Sequence, residues 1–193
     1  MIVRDASVED RASIVAMLTR AFAEDPAMRY IFPDATTRLT RLPKLFGLLF
    51  DSDSVGMRLV TGTAQAATLW RPPGVAEMGR MALLTQLLPL VDTFGSALFR
   101  AMRLSDAIDA HYPREPFWYL HIAGVDPGYQ GRGLGSASIR EGIARSASDG
   151  LPAYLETTVE RNVVLYQSLG FDVTSQWHVP GGGPKFWSML RRP

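Results

Sequence analysis

The segment Val125-Asp126-Pro127-Gly128-Tyr129-Gln130-Gly131-Arg132-Gly133-Leu134-Gly135-Ser136 has the composition of an anion site. An apolar run ends at Val125, and a helical pattern begins inside the glycines. Gly131, Gly133 and Gly135 carry no Cβ, so phosphate oxygens can approach the main chain closely. The free N–H groups of a first helical turn and the helix dipole favour negative charge there. Arg132 adds a fixed positive charge. The chemistry is that of a pyrophosphate cradle. A P-loop would need G-x-x-x-x-G-K-[ST], and this turn has no such lysine. A dinucleotide fingerprint needs G-x-G-x-x-G, and Gly131-x-Gly133-x-Gly135 lacks the final glycine at the required place.

Titratable groups flank this turn. Phe117 to Val125 is an unbroken apolar and aromatic run, as expected of a central strand covered on both faces. Alternation places Tyr119, His121 and Ala123 on one face and Trp118, Leu120 and Ile122 on the other. His121 is the group there that titrates near neutrality. Glu156 lies in a second strand, Ala153 to Thr157, where an apolar setting would raise its pKa. His121 and Glu156 are both candidate bases expected to line one site, with neither assigned alone. Asn162 and Tyr166, four residues apart, share one side of a helix running from about Val159 to Leu169.

The pattern Gln130-x-x-Gly133-x-Gly135 resembles the Q/R-x-x-G-x-G/A motif of the GNAT superfamily of acyl-CoA N-acyltransferases. Leu155-Glu156-Thr157, followed by Asn162, Tyr166 and Gly170-Phe171, resembles that family's second signature. The likeness is strong over Phe117 to Phe171, loose in the first strand and helix, and poor in the middle helices. Among members, the chain is most similar to the puromycin N-acetyltransferase type, through Ala21-Phe22-Ala23, Pro113 to Pro116 and Tyr154 to Thr157.

The resemblance implies an α/β (α+β) fold: a mixed, mostly antiparallel sheet, splayed between its fourth and fifth strands and flanked by helices. It implies acetyl-CoA as co-substrate, no metal, and acetyl transfer to a primary amine of a small molecule through a tetrahedral intermediate. Acetylation of a protein lysine or N-terminus, or non-catalytic acyl-CoA sensing, are the other readings. By the same likeness, Gln130, Gly131, Arg132, Gly133, Leu134, Gly135 and Ser136 would hold the pyrophosphate. Ile122, Ala123, Gly124 and Val125 would pair with the pantetheine arm, which Asn162 also contacts. Tyr166 would protonate the departing thiolate, a mildly uphill transfer because a phenol titrates near about 10 and a thiol near about 8.5. The serotonin N-acetyltransferase branch carries a histidine at the position of His121 and removes protons with it through water, whereas puromycin-type members do not share it. Tyr30, Phe32, Trp70 and Tyr119, with Trp118, are the aromatic candidates for the acceptor pocket. Met81 to Ala110 is expected to wall it off and to favour a hydrophobic amine.

These groups need a scaffold. Ile2 to Arg4 reads as a strand. Ser7, with Asp10 three residues on, marks a helix carrying Val15, Leu18 and Phe22 and ending near Asp25-Pro26. A second helix runs from about Thr36 to Phe50, with Pro43 as a break or kink. Met57–Thr61 and Ala66–Trp70 form a hairpin stopped by Arg71-Pro72-Pro73-Gly74. Gly79 to Ala110 is helical and broken at Pro89. The glycine turn leads into a helix, about Gly133 to Ser148, and strands follow from Phe171 and from Lys185 to Leu190.

Composition bounds the rest. A chain of 193 residues, 47% hydrophobic and 20% charged, reads as one folded domain spanning 1–193. A net charge of +1 argues against a dedicated nucleic-acid binder, which shows a clear basic excess. Zero cysteines remove disulfides and thiolate chemistry. The three scattered histidines argue against a metal centre. Leu83 to Met102 is interrupted by Thr85, Gln86, Pro89, Asp92 and Arg100 and is not read as a membrane span, which needs about 20 mostly apolar residues. With no secretion signal evident, a cytoplasmic monomer or homodimer is expected.

Overall fold

A computed structural model of the chain describes residues 2–75 and 87–193. Seven strands form one sheet in the order β1-β2-β3-β4-β5-β7-β6 among the described residues. They are β1 (Val3–Asp5), β2 (Met57–Thr61), β3 (Ala66–Arg71), β4 (Trp118–Val125), β5 (Ala153–Thr157), β6 (Asp172–His178) and β7 (Lys185–Arg191). All neighbours run antiparallel except β4 and β5. That parallel pair joins only at Trp118↔Ala153 and Tyr119↔Tyr154. Beyond these two rungs β4 continues to Val125 and β5 to Thr157, so the sheet opens between them. This is the splayed architecture of the GNAT fold.

Helices α1 (Arg11–Phe22), α2 (Pro26–Ile31) and α3 (Ala35–Ser52) cover one face, with α4 (Leu87–Phe94) and α5 (Leu98–Asp109) beside them. Their core includes Ile14, Met17, Leu18, Leu42, Phe46 and Phe50, all essentially without solvent contact. Each such side chain contributes about 1.5–3 kcal/mol by leaving water. Helices α6 (Leu134–Ser146) and α7 (Glu160–Ser168) cover the other face around Trp70, Ile139, Leu155, Phe171 and Met189.

Three boundaries differ from the expected ones, each for a local reason. Helix α1 starts at Arg11 because Asp10 accepts from the Ser7 amide (2.9 Å) and from both Arg4 guanidinium nitrogens (2.6 and 2.7 Å), holding residues 7–10 in a turn. Helix α3 runs through Pro43 without a break, held by Leu42, Leu45 and Phe46 on its buried side and capped by Asp34, which accepts from the Thr37 amide at 2.7 Å. Pro89 lies within α4, near the start of its described residues. A break falls at Gly95, whose φ of +51° starts a 3₁₀ turn before α5. Within Gly79–Ala110, residues 79–86 lie outside the described residues. Among the described residues no helix is long and apolar enough to cross a membrane.

The candidate active site

The opening between β4 and β5 is a cavity of about 640 Å³. At one end, β4 passes through a 3₁₀ turn, Pro127–Tyr129, into α6. Asp126 shapes this turn by accepting from the Gly128 amide at 3.0 Å, and Arg20 of α1 pairs with the same carboxylate. Gly131 and Gly133 each have φ of +75°, a left-handed conformation that side-chain-bearing residues reach at a cost of about 1–2 kcal/mol. Gly133 is also the N-cap of α6 and brings no side-chain oxygen to its first amides. By contrast, Asp25 and Asp34 cap α2 and α3. The first-turn N–H groups of α6 are therefore left facing the cavity, lined here by Gln130, Gly131, Gly133, Leu134, Gly135 and Ser136. Such a turn has the geometry to accept an anion. Arg132 departs from expectation: it does not line the cavity, and its guanidinium lies over the Tyr129 ring at 4.9 Å. The cavity cation nearby is Arg161 of α7.

One wall is β4. Ile122, Ala123, Gly124 and Val125 all line the cavity, where β4 no longer pairs with β5. The expected alternation fails here. The register against β3 runs Leu69↔Ile122 and then Trp70↔Leu120, leaving His121 as an extra residue in a β-bulge. Ile122 therefore packs toward the α1/α3 core, while Leu120 and Ala123 both pack toward α6 and α7. Tyr119 and His121 remain neighbours, their rings 5.3 Å apart.

His121 lines the cavity, and its Nδ1 stands 2.6 Å from Oδ2 of Asp53, which follows the end of α3. Nε of Arg71 donates to the other Asp53 oxygen, also at 2.6 Å. Asp53 has no exposed side-chain surface. Burial pushes its carboxyl up, but His121 and Arg71 together hold it below the usual range. Burial, and then the Arg71 charge, push the His121 imidazole below its ordinary value, with Asp53 pulling back.

Glu156 of β5 and Tyr166 of α7 form the opposite wall. Burial pushes the Glu156 carboxyl up to about 8, against the phenols of Tyr119 and Tyr154 that draw it down. Its Oε1 is buried without a hydrogen-bond partner among the described residues. Tyr166 is pushed up to about 12 by burial, with the Asp25 charge adding to the effect. Asn162 lies one helical turn before it on the same wall. Asp25 was not anticipated. It accepts from the Ala27 and Met28 amides at 2.8 and 3.2 Å and from the Thr158 hydroxyl at 2.9 Å, tying α2 to the β5–α7 loop at the cavity.

Of the aromatic candidates, Tyr119 lines the cavity and the four others do not. Trp70 is fully buried under α6, so close that a Cβ on Gly142 would fall 2.3 Å from its ring, and its Nε1 donates to Thr68. Phe32 is buried against Phe94, the rings stacked at 5.9 Å. Tyr30 borders a separate cavity of about 380 Å³ with Arg29 and Gly182–Pro184. Trp118 points elsewhere too, its Nε1 donating to Asp149 at 2.8 Å. Large aromatics at these positions fill core instead. Phe22, Met28, Leu104 and Ile108 also line the cavity, the last two from the Met81–Ala110 segment expected to wall it.

Residues 95–171 match the model of the acetyltransferase (GNAT) family. A 60-residue segment is 42% identical to the mycothiol acetyltransferase of Nocardiopsis dassonvillei, covering 30% of this chain and 18% of that protein. A 59-residue segment is 44% identical to the N-alpha-acetyltransferase RimI of Mycobacterium tuberculosis, covering 29% of this chain and 36% of that one. The chain thus spans well under two thirds of the curated relatives it matches. Over nearly its whole length it is similar to the crystal structure of histone acetyltransferase HPA2 and related acetyltransferase from Corynebacterium glutamicum. The TM-score there is 0.74 and the identity 28%, covering 99% of this chain and 95% of that one. The chain thus has the GNAT fold over nearly its whole length, and residues 95–171, which include the glycine turn and β4, match that family's model.

Proposed function

We propose that the protein transfers an acetyl group from acetyl-CoA to the primary amine of a small molecule. One observation carries this reading. The break in β4–β5 pairing brings the uncapped glycine turn, the unpaired β4 edge, Tyr166, His121 and Glu156 to a single cavity. The α6 amides suit a pyrophosphate, and the left-handed glycines leave them unobstructed. Bound acetyl-CoA would supply an activated thioester. A β4 main-chain N–H directed at its oxygen would lower the barrier by about 3 kcal/mol.

The acceptor arrives as an ammonium ion and gives one proton to a base in the His121–Glu156 pair. The freed lone pair forms the C–N bond, the C–S bond breaks with its electrons going to sulfur, and sulfur takes the Tyr166 proton. The nitrogen loses a second proton, which restores the tyrosine through solvent, so one proton is released in all. The apolar lining contributed by Phe22, Met28, Leu104 and Ile108 supports a hydrophobic amine, as puromycin-type enzymes would take. The likeness to an N-alpha-acetyltransferase gives peptide N-terminal acetylation as the second reading.

Calorimetry with coenzyme A, followed by free-thiol release from acetyl-CoA across small amines and N-terminal peptides, tests both. Binding with turnover on small amines is expected. Turnover on peptides alone would select the second reading, and the absence of heat with coenzyme A would refute both.

A further inference from the structure

We infer that Asp53 is a positioning residue for His121, its carboxylate accepting the Nδ1 proton and so presenting the Nε2 lone pair to the cavity. The inference rests on the acetyl-transfer reading above and assigns its base. His121 is the residue expelled from regular pairing by the β4 bulge, and a bulge re-aims the side chain it carries. The ring could rotate freely in an open cavity, but one nitrogen is anchored. Nδ1 lies 2.6 Å from Asp53, which does not line the cavity and has no exposed side-chain surface. Arg71 donates to the other oxygen of that carboxylate at 2.6 Å, which keeps it ionised and hence an acceptor only. An ionised acceptor at Nδ1 requires the proton to be there. Nε2 then carries the lone pair, and it has no protein partner among the described residues.

Glu156 is the poorer base at neutral pH, because burial keeps its carboxyl largely protonated. The other charged and titratable groups around the pair are Tyr119 on β4, Tyr154 on β5 acting on Glu156, Tyr112 beyond α5 acting on Tyr119 and Arg71, and Asp109 acting on Glu156. In the step itself, Nε2 takes one proton from the acceptor ammonium, giving imidazolium and free amine. The new cation is balanced by Asp53 behind it, and its proton passes to solvent when product leaves.

Two-bond ¹H–¹⁵N correlation spectra of the wild-type protein with ¹⁵N-labelled histidine test the tautomer directly. Nδ1 protonated and Nε2 bare above the ring's pKa is the expected result, and Nε2 protonated overturns the inference. Kinetics test the coupling. Asp53→Asn should lower kcat/KM for the amine at least about 100-fold. It should also move the acidic limb of the pH profile to lower pH, because Asp53 raises the His121 pKa. In a His121→Ala background the same substitution should cost nothing more; an undiminished penalty there would overturn the inference. If Asp53→Asn leaves Arg71 uncompensated and the variant fails to fold, the wild-type spectrum still decides. Failure of the wild type to bind coenzyme A would sink the acetyl-transfer reading and leave the tautomer standing. Binding with Nε2 protonated would sink the Asp53 inference alone.

Discussion

Tyr166 holds its proton more tightly than an ordinary phenol, at a pKa of about 12, so in the proposed mechanism its transfer to the thiolate is more uphill than from a free phenol and must be coupled to collapse of the intermediate. Removing its hydroxyl should therefore strike the chemical step and spare binding. Tyr166→Phe is expected to lower kcat about 100-fold or more, with the acetyl-CoA KM changed less than about threefold in steady-state assays. Glu156 makes a stability prediction. Its carboxyl titrates at about 8 when folded against 4.5 for the free group. The folded chain thus binds more protons than the unfolded one between these values, and stability falls as pH rises through that window. Glu156→Gln should match the wild type near pH 4.5 and exceed it by a few kcal/mol at pH 8, at about 1.4 kcal/mol per unit, in denaturant titrations. Among single residues, His121 and Glu156 are legible in the sequence through type and strand position, and Tyr166 and Asn162 through the family likeness of their segment. Asp53 is invisible there. It stands 68 positions from His121, and only the end of α3 brings the two together.

The elements show where local signals suffice and where they mislead. The glycine turn and α6 are legible because left-handed glycines and a helix start follow from residue type alone. Gly133→Val should raise the coenzyme A dissociation constant at least tenfold, read by calorimetry, and cost folding only about 1–2 kcal/mol. Pro43 misleads, since helix α3 is carried by its buried face despite the missing N–H. Pro43 is exposed, so Pro43→Ala loses no core contact. It should stabilise the protein by about 1–3 kcal/mol in urea unfolding. Helix α2 escaped notice because Asp25-Pro26 reads as a stop to α1. The same dipeptide is an N-cap and an N1 proline, and it opens a six-residue helix. The β4 bulge escaped too, because alternation assumes that strands pair without insertions.

For the whole molecule, periodicity supplies strands but not their order. The placement of β7 between β5 and β6 follows from contacts distant in the chain. The splay likewise entered through family likeness and not through pattern. Trp70 illustrates the gap: a tryptophan at a strand end suits a pocket or a core equally well until α6 is laid over it. Trp70→Ala should destabilise the fold by about 3–5 kcal/mol, measured by chemical denaturation, while the folded fraction keeps its amine KM. The two rungs at Trp118 and Tyr119 make the sheet a pair of blades riveted at one tip. With nothing lodged between the blades, each offers a raw main-chain margin inside the molecule, a template for any stray extended peptide. A lodged guest would seal both margins at once, so the protein's resistance to clumping in a crowded cell would follow the supply of that guest.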